Sequence, residues 1–132
     1  PESGLVFISV NNEDKFKIIS IARAFKELGF NIVATEGTAK ELIKNGMSAE
    51  AVYKVGEGRP NIVDRIKNNE IDLVINTPLG AQSRYDEEAI GKACIQKSIM
   101  AITTLSAADA VLYAIRTKNK IKVKSMQEYH SS

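Results

Sequence analysis

The sequence predicts a three-layer α/β domain in which helices cover both faces of a five-stranded parallel sheet. Two observations predict it. Apolar runs of strand length alternate along most of the chain with segments whose apolar residues recur at helical spacing. Strands that are continuous apolar runs, separated by helices, are typical of a parallel sheet buried on both faces. A length of 132 residues with 44% hydrophobic residues suits one domain spanning 1–132.

The first strand and the first helix occupy the N-terminal region. Leu5–Val10 is an apolar run of strand length. Glu13 and Asp14 place negative charge where the first turn of a helix favours it. The apolar stripe of that helix consists of Ile18, Ile21, Ala22, Phe25 and Leu28. Gly29 follows where a left-handed residue commonly ends a helix.

A second strand and helix lead to a third strand. Asn31–Thr35 is the second apolar run of strand length. Thr38, with Glu41 three residues later, has the pattern of a capping box, so we expect the second helix to begin there. Gly46 marks the end of that helix, and Ala51–Val55 is a weaker third strand.

The next segments repeat the alternation. Pro60 suits the first turn of a third helix. The apolar residues of that helix are Ile62, Val63 and Ile66. Ile71–Ile75 is the clearest strand of the chain, and Asp86–Gln96 predicts a fourth helix with acidic residues at its positive end. Ile99–Thr103 is the fifth strand.

The chain closes with a helix and a basic tail. Ser106 with Asp109 resembles a helix cap. The helical stripe that follows consists of Ala107, Ala110, Val111, Ala114 and Ile115. The tail, 116–132, holds 5 Lys/Arg against 1 acidic residue, whereas 1–115 holds 13 against 15. Such a tail can contact nucleic acid. Because lysines alternate with other residues over 118–124, we expect instead a short edge strand with a solvated lysine face, and no nucleic-acid partner.

Composition excludes several classes of protein. One cysteine, Cys94, allows no internal disulfide, and His130 is the only histidine, which leaves too few ligands for a zinc cage. No apolar run approaches the roughly 18 residues of a membrane span, and the N-terminus lacks the layout of a signal peptide. We therefore expect a soluble, cytoplasmic domain with no membrane partner, no metal and no cofactor of its own. Because the chain begins at Pro1, we also expect it to have been excised from a longer one.

Polar side chains gather at the edge of the predicted sheet where ligands bind, which is beyond the carboxyl ends of parallel strands. The residues that end or follow the strands there are Lys15, Thr35, Gly37, Thr38, Lys54, Asn76, Thr77, Thr103 and Thr104. Two ammonium groups, several hydroxyls and a helix N-terminus suit a phosphate monoester or a nucleotide. Taken singly, Thr38 could be only a cap, the other threonines β-branched strand ends and the lysines solvated surface. Only their joint position favours a binding site.

Common catalytic motifs are missing from the sequence. It contains no Gly-x-x-x-x-Gly-Lys-Ser/Thr loop, and Gly56–Gly58 lacks the third glycine of a dinucleotide fingerprint. The position of His130 in the tail leaves no base for a catalytic triad, and the apolar neighbours of Cys94 indicate a buried thiol. Asp64 and Asp72 are carboxylates that no spacing selects as acid or base. We predict no catalytic residue in this chain.

Several strings carry a family resemblance over nearly the whole chain. They are Val6–Val10, Asp14–Lys15, Gly29–Phe30, Ala34–Ala39, Val52–Val55, Glu57–Pro60, Asp64–Asn68, Ile75–Thr77, Thr103–Leu105 and Val123–His130. With these strings the sequence resembles the C-terminal regulatory domain of the carbamoyl phosphate synthetase large subunit. That domain is one branch of the methylglyoxal-synthase-like fold, which has a five-stranded parallel sheet between helices.

The resemblance implies an effector site. In the bacterial synthetases this domain binds UMP as inhibitor and IMP as activator at one shared site. By motif, the phosphate-binding residues are Lys15, Thr35, Thr38, Lys54 and Asn76. A further family threonine is Pro78 here, so that contact is lost or shifts to Thr77. Thr103 matches a threonine of the family's ornithine site, whereas the tyrosine position of that site is Ala101.

The resemblance also implies partners and cofactors outside this domain. The domain's partners are the ATP-grasp domains of the same large subunit and, through them, the glutaminase small subunit. The parent enzyme makes carbamoyl phosphate from glutamine, bicarbonate and ATP, with Mg or Mn, in pyrimidine and arginine biosynthesis.

Two relatives of the same fold are the alternatives. Methylglyoxal synthase eliminates phosphate from dihydroxyacetone phosphate, but its catalytic aspartate aligns with Arg59 and its histidine has no counterpart here. An arginine cannot serve as the carboxylate base that removes a proton. The cyclohydrolase domain of purine biosynthesis shares the Gly-Thr-Ala turn at Gly37–Ala39, but its downstream His-Pro-Lys motif is missing from this sequence.

Overall fold

The computed structural model describes residues 4–11, 13–77 and 84–131, with side chains at all of these except 84–86 and 119–131. The elements in chain order are β1 (Gly4–Ser9), α1 (Lys15–Glu27), β2 (Phe30–Thr35), α2 (Glu36–Lys44), β3 (Glu50–Val52), α3 (Ile62–Lys67), β4 (Leu73–Asn76), α4 (Arg84–Gln96), β5 (Met100–Ile102) and α5 (Leu105–Ser131). The five strands form one sheet in the order β3-β2-β1-β4-β5, and every pair is parallel. The predicted fold class is confirmed.

Two apolar clusters lie on opposite faces of the sheet. On one face, α1, α2 and α5 pack against alternate residues of the strands, such as Val6 and Ile8 of β1. On the other face, α3 and α4 pack against the residues between them, such as Phe7. The rings of Phe25 in α1 and Phe30 in β2 meet edge to face, with centroids 5.4 Å apart. Both faces of each central strand are therefore buried, which explains why the strands are continuous apolar runs.

The first two helices end just before the glycines that were predicted to close them. Gly29 follows α1 with φ +100°, and Gly46 follows α2 with φ +84°. Both positions favour glycine because a side chain is strained at positive φ. The expectation that Cys94 is a buried thiol is also confirmed. Cys94 lies in α4, is 1% exposed and packs in the apolar cluster on that face of the sheet.

The starts of the helices differ from the predictions. Thr38 is not a cap, because α2 begins directly after β2 and Thr35 occupies the N-cap position. Asp14 is the N-cap of α1, so the first turn of that helix holds no acidic residue. Pro60 precedes α3, whose N-cap is Asn61, in a capping box with Asp64. In each case the spacing of apolar residues predicts that a helix is present but does not determine the residue at which it begins.

The last helix differs from the predictions at both ends. The side chain that caps its N-terminus is Thr104 and not Ser106. Thr104 Oγ1 accepts a hydrogen bond from the Ala107 N–H at 3.1 Å. Ala108 and Leu112 of this helix are buried and Leu105, Val111 and Ile115 are partly buried, whereas the predicted alanines 107, 110 and 114 are exposed. Residues 118–124, expected as an edge strand, are helical. Neither Gly nor Pro interrupts 105–131, and Lys, Arg, Gln and Glu are good helix formers, so the helix continues through the tail.

Among the described residues, no helix is both long and apolar enough to cross a bilayer.

Candidate functional site

The carboxyl ends of β1, β2 and β4 meet at the centre of the sheet. The strand order reverses between β1 and β4, because the chain adds β2 and β3 on one side of β1 and then crosses to the other. This reversal opens a crevice in which parallel α/β sheets bind ligands. Among the described side chains, the polar ones that are fully buried all lie here, and they are Ser9, Thr35, Thr38 and Thr77.

Three of these hydroxyls form a connected group. Thr35 Oγ1 lies 3.3 Å from Ser9 Oγ and 3.4 Å from Thr38 Oγ1. The Val10 N–H donates to Thr38 Oγ1 at 3.5 Å. Thr35 has one hydroxyl proton for two acceptors, so the group can reorient its donors toward an added anion.

The N-terminus of α2 is the positive end of a nine-residue helix beside these hydroxyls. The Thr35 side chain makes no capping hydrogen bond, since its hydroxyl faces Ser9 and Thr38. The backbone N–H groups of the first turn therefore keep their capacity to hold an anion.

Lys15 adds a full positive charge at the same place. It is the first residue of α1, and its Nζ lies over Gly37 in the first turn of α2, 3.0 Å from where a Cβ on Gly37 would stand. Glu36, the acidic residue of that turn, is exposed and pairs with Lys40 at 3.1 Å. An ammonium, a helix N-terminus and buried hydroxyls together favour a phosphate group.

Asn76 and Thr77 lie on the other side of β1. Asn76 is the last residue of β4 and pairs with Ser9 across the parallel ladder. Thr77 donates its N–H to the Ser9 carbonyl at 2.9 Å and accepts the Asn11 N–H on Oγ1 at 3.0 Å. Both residues thus adjoin the buried hydroxyl group through Ser9.

Lys54 stands two residues beyond β3, the strand next to β2. Its backbone is held in a tight loop, because its N–H donates to Glu57 Oε1 at 2.8 Å and its carbonyl accepts from the Glu57 N–H at 3.1 Å. Lys54 thus lies at the same edge of the sheet as Thr35, on a constrained backbone.

Two further predicted residues, Thr103 and Thr104, lie on the β5 side of the site. Thr103 follows β5 and borders a cavity of about 70 Å³ together with Asn76, Glu87 and Ala101. Thr104 caps α5. Pro78 lies outside the described residues.

Two residues of this centre escaped the sequence analysis. Ser9 appeared only as part of an apolar strand, although a lone hydroxyl near a strand's carboxyl end was a signal. Asn11 accepts the Asp14 N–H on Oδ1 at 2.8 Å and donates from Nδ2 to Asp14 Oδ2 at 2.9 Å, so it holds the start of α1. The sequence pattern that could have identified Asn11 is an Asn in a turn three positions before an acidic residue.

Arg59 and Asp64 form an ion pair on the loop before α3. Arg59 Nη2 lies 2.7 Å from Asp64 Oδ1, and Asp64 Oδ2 accepts the Asn61 N–H at 2.9 Å. The hydrogen bond from Arg59 and the one from the Asn61 backbone lower the pKa of Asp64 below its ordinary value of 3.8. A carboxyl so stabilised as the anion is a weak base.

Metal binding and thiol chemistry find little support in the described part of the chain. No group of three His, Cys, Asp or Glu residues there is placed to hold a metal ion. Burial raises the pKa of the Cys94 thiol to about 11, so it stays protonated near neutral pH and is a poor nucleophile.

Comparison with known proteins gives consistent results. Residues 17–103 match the family model described as "MGS-like domain". The chain is 50% identical to the carbamoyl phosphate synthase large chain of Acidobacterium capsulatum over 133 residues, which is 99% of this chain and 12% of that protein. It is 47% identical to the C-terminal section of the large chain of Aquifex aeolicus over 138 residues, covering 99% of this chain and 26% of that protein.

A solved structure shares the fold. The crystal structure of methylglyoxal synthase from Elizabethkingia anophelis superposes with a TM-score of 0.69, covering 85% of this chain and 78% of that one at 18% identity. At this identity the likeness concerns the fold alone.

Proposed function

The chain belongs to the MGS-like domain family, and from this premise we propose that it is the effector-binding domain of a carbamoyl phosphate synthase large chain. Its ligand is a nucleoside monophosphate of the UMP or IMP type. The phosphate binds where Lys15 lies over the first turn of α2, beside Thr35 and Thr38. Because the chain spans only 12% of its Acidobacterium relative, everything proposed for the parent enzyme rests on that likeness.

The single observation that supports the site best is the position of Lys15 Nζ against Gly37. An ammonium at a helix N-terminus places two positive potentials side by side, and the cost of that repulsion is offset once an anion lies between them. Lys54 and Asn76 supply a second cation and an amide from the neighbouring strand ends. These groups match the charge and the hydrogen-bond acceptors of a phosphate monoester.

We propose that this domain is catalytically silent by itself. In the alternative, a lyase acting on dihydroxyacetone phosphate, a carboxylate must remove a proton from the substrate. Arg59 stands at the position that the resemblance gives to that carboxylate, and the nearby Asp64 is bound to Arg59 and to the Asn61 N–H. A carboxyl with a lowered pKa is poorly suited to proton abstraction.

Regulation then acts on domains outside this chain. We propose that the ATP-grasp domains of the same large chain, with ATP and Mg or Mn, and a glutaminase small subunit carry out the ligase reaction in the cytoplasm, for pyrimidine and arginine synthesis. An effector changes their rate only by binding one state of the whole enzyme better than another, with a coupling free energy typically of about 1 to 3 kcal/mol. Thr103 is our candidate for a contact with ornithine at the boundary with those domains.

The test is calorimetric titration of the 132-residue chain with UMP, IMP, ornithine and inorganic phosphate. We expect saturable binding of a nucleotide, with inorganic phosphate weaker at the same site. Lys15→Ala and Lys54→Ala should each weaken nucleotide binding without lowering Tm appreciably. Lys17→Ala is the matched control, because Lys17 is exposed on α1 two residues from Lys15. Unchanged affinity in both site variants, or steady phosphate release from dihydroxyacetone phosphate, contradicts the proposal.

A further inference from the structure

Thr77 is buried at the point where the strand order reverses, and its hydrogen bonds join two loops. It is 3% exposed and follows β4 directly. Its N–H extends the parallel ladder to the Ser9 carbonyl at 2.9 Å, and its Oγ1 accepts the Asn11 N–H at 3.0 Å. One residue at the end of β4 thus holds the backbone of the loop between β1 and α1.

From Asn11 the contacts continue into α1. The Asn11 carboxamide forms two hydrogen bonds with Asp14, one to its N–H at 2.8 Å and one to its carboxylate at 2.9 Å. Asp14 is the N-cap of α1, and the next residue is Lys15, whose ammonium lies over Gly37. Each step in this series joins neighbours by backbone or by hydrogen bonds, so the position of Asn11 constrains the first turn of α1.

We propose that Thr77 is a positioning residue for Lys15, acting through Asn11 and Asp14 and not by contact with the ligand. The inference rests on the proposed anion site. Thr77 Oγ1 fixes the Asn11 backbone, the Asn11 carboxamide fixes the start of α1, and the ammonium is thereby held ready above α2. Binding an anion to a preorganised group costs less conformational entropy than ordering the group at the moment of binding.

Substitution of the hydroxyl tests the idea. Thr77→Val keeps the shape of the side chain but leaves the part-buried Asn11 N–H without its acceptor. We expect the dissociation constants for UMP and for inorganic phosphate, measured by calorimetry, to rise roughly fivefold, as the loss of about one net hydrogen bond implies. Thr77→Ser retains the acceptor and should restore most of the affinity, which a loss of side-chain volume alone does not predict.

A double-mutant cycle separates positioning from direct contact. If Thr77 acts through Lys15, Thr77→Val should add little to the loss already caused by Lys15→Ala. If Thr77 touches the ligand itself, its loss should be the same in both backgrounds, and that result overturns the inference. Equal weakening by Thr77→Ser and Thr77→Val overturns it as well.

Asn11→Ala is the second variant, in case Thr77→Val does not fold. It leaves Thr77 intact and removes both carboxamide hydrogen bonds to Asp14, leaving the backbone bond from the Asp14 N–H to the Asn11 carbonyl at 3.1 Å. It should therefore weaken phosphate binding in the wild-type background and have little effect in Lys15→Ala. Full affinity in Asn11→Ala overturns the inference. A wild-type chain that binds neither UMP nor phosphate overturns the proposed function and this inference with it, whereas a binding chain with an additive cycle overturns the inference alone.

Discussion

Lys15 and Gly37 meet where α1 and α2 begin: a Cβ added to Gly37 would lie 3.0 Å from Lys15 Nζ. That separation is tighter than ordinary van der Waals contact, so the ammonium would have to move by a few tenths of an ångström. Gly37 therefore leaves room for the Lys15 ammonium in the first turn of α2. Alanine at this position would favour helix formation more than glycine does.

Gly37→Ala should separate stability from binding. Alanine is a better helix former than glycine by up to about 1 kcal/mol, so Tm should stay the same or rise. The displaced ammonium should weaken binding of UMP and inorganic phosphate in a titration. Gly91→Ala is the matched control for helix propensity, because a Cβ there meets nothing within 4 Å. Equal affinity in the two variants contradicts a role for the Lys15 position.

Thr104→Ala should destabilise the start of α5. The Thr104 hydroxyl accepts the Ala107 N–H at 3.1 Å, and loss of such a cap typically costs about 1 kcal/mol. For a domain of this size the change is a Tm decrease of a few degrees, measurable by calorimetry. Ser106→Ala, at the cap position expected from the sequence, should leave Tm nearly unchanged. The reverse ranking of the two variants would contradict the observed start of the helix.

Asp64→Asn should destabilise the chain in a pH-dependent way. The Arg59 hydrogen bond and the Asn61 N–H lower the pKa of the folded carboxyl below 3.8, so its contribution to stability is present above that pH and is lost as pH falls through the folded pKa. The Tm difference between wild type and Asp64→Asn should therefore be largest near neutral pH and disappear in strong acid. Thermal melts from pH 7 down to pH 2 measure it, and a constant difference would contradict the ion pair's role.

Cys94 should resist alkylation while the chain is folded. Burial raises its pKa to about 11 and leaves the side chain 1% exposed, so little reactive thiolate exists at pH 8. Iodoacetamide should react slowly in buffer and rapidly in denaturant, as followed by mass spectrometry. Because the unfolded thiol ionises near its ordinary pKa of 9.0, unfolding releases a proton above that pH, and stability should fall as pH rises from 9 toward 11. Rapid labelling of the native chain would contradict this burial.

Much of the fold follows from local information in the sequence. The alternation of apolar runs with helical stripes determined the order of the elements, because a strand buried on both faces and a helix packed on one face require different spacings of apolar residues. Gly29 and Gly46 determined where two helices end, since their positive φ disfavours other residues. The rule that ligands bind beyond the carboxyl ends of parallel strands then selected Lys15, Gly37 and Thr38 as candidates.

Only the tertiary structure decided the helix starts and the contacts of the site. Ser and Thr favour caps wherever the chain turns. The spacing to Glu41 favoured Thr38 as the cap, and only the junction of β2 and α2 showed that Thr35 is the N-cap residue. The lysine alternation at 118–124 does not make a strand, because a strand also needs a neighbouring strand to pair its backbone, and this segment instead continues α5. The contacts of Ser9 with Thr35 and of Asn11 with Thr77 join residues 26 and 66 positions apart, and such pairs exist only once the sheet has brought neighbouring strand ends together.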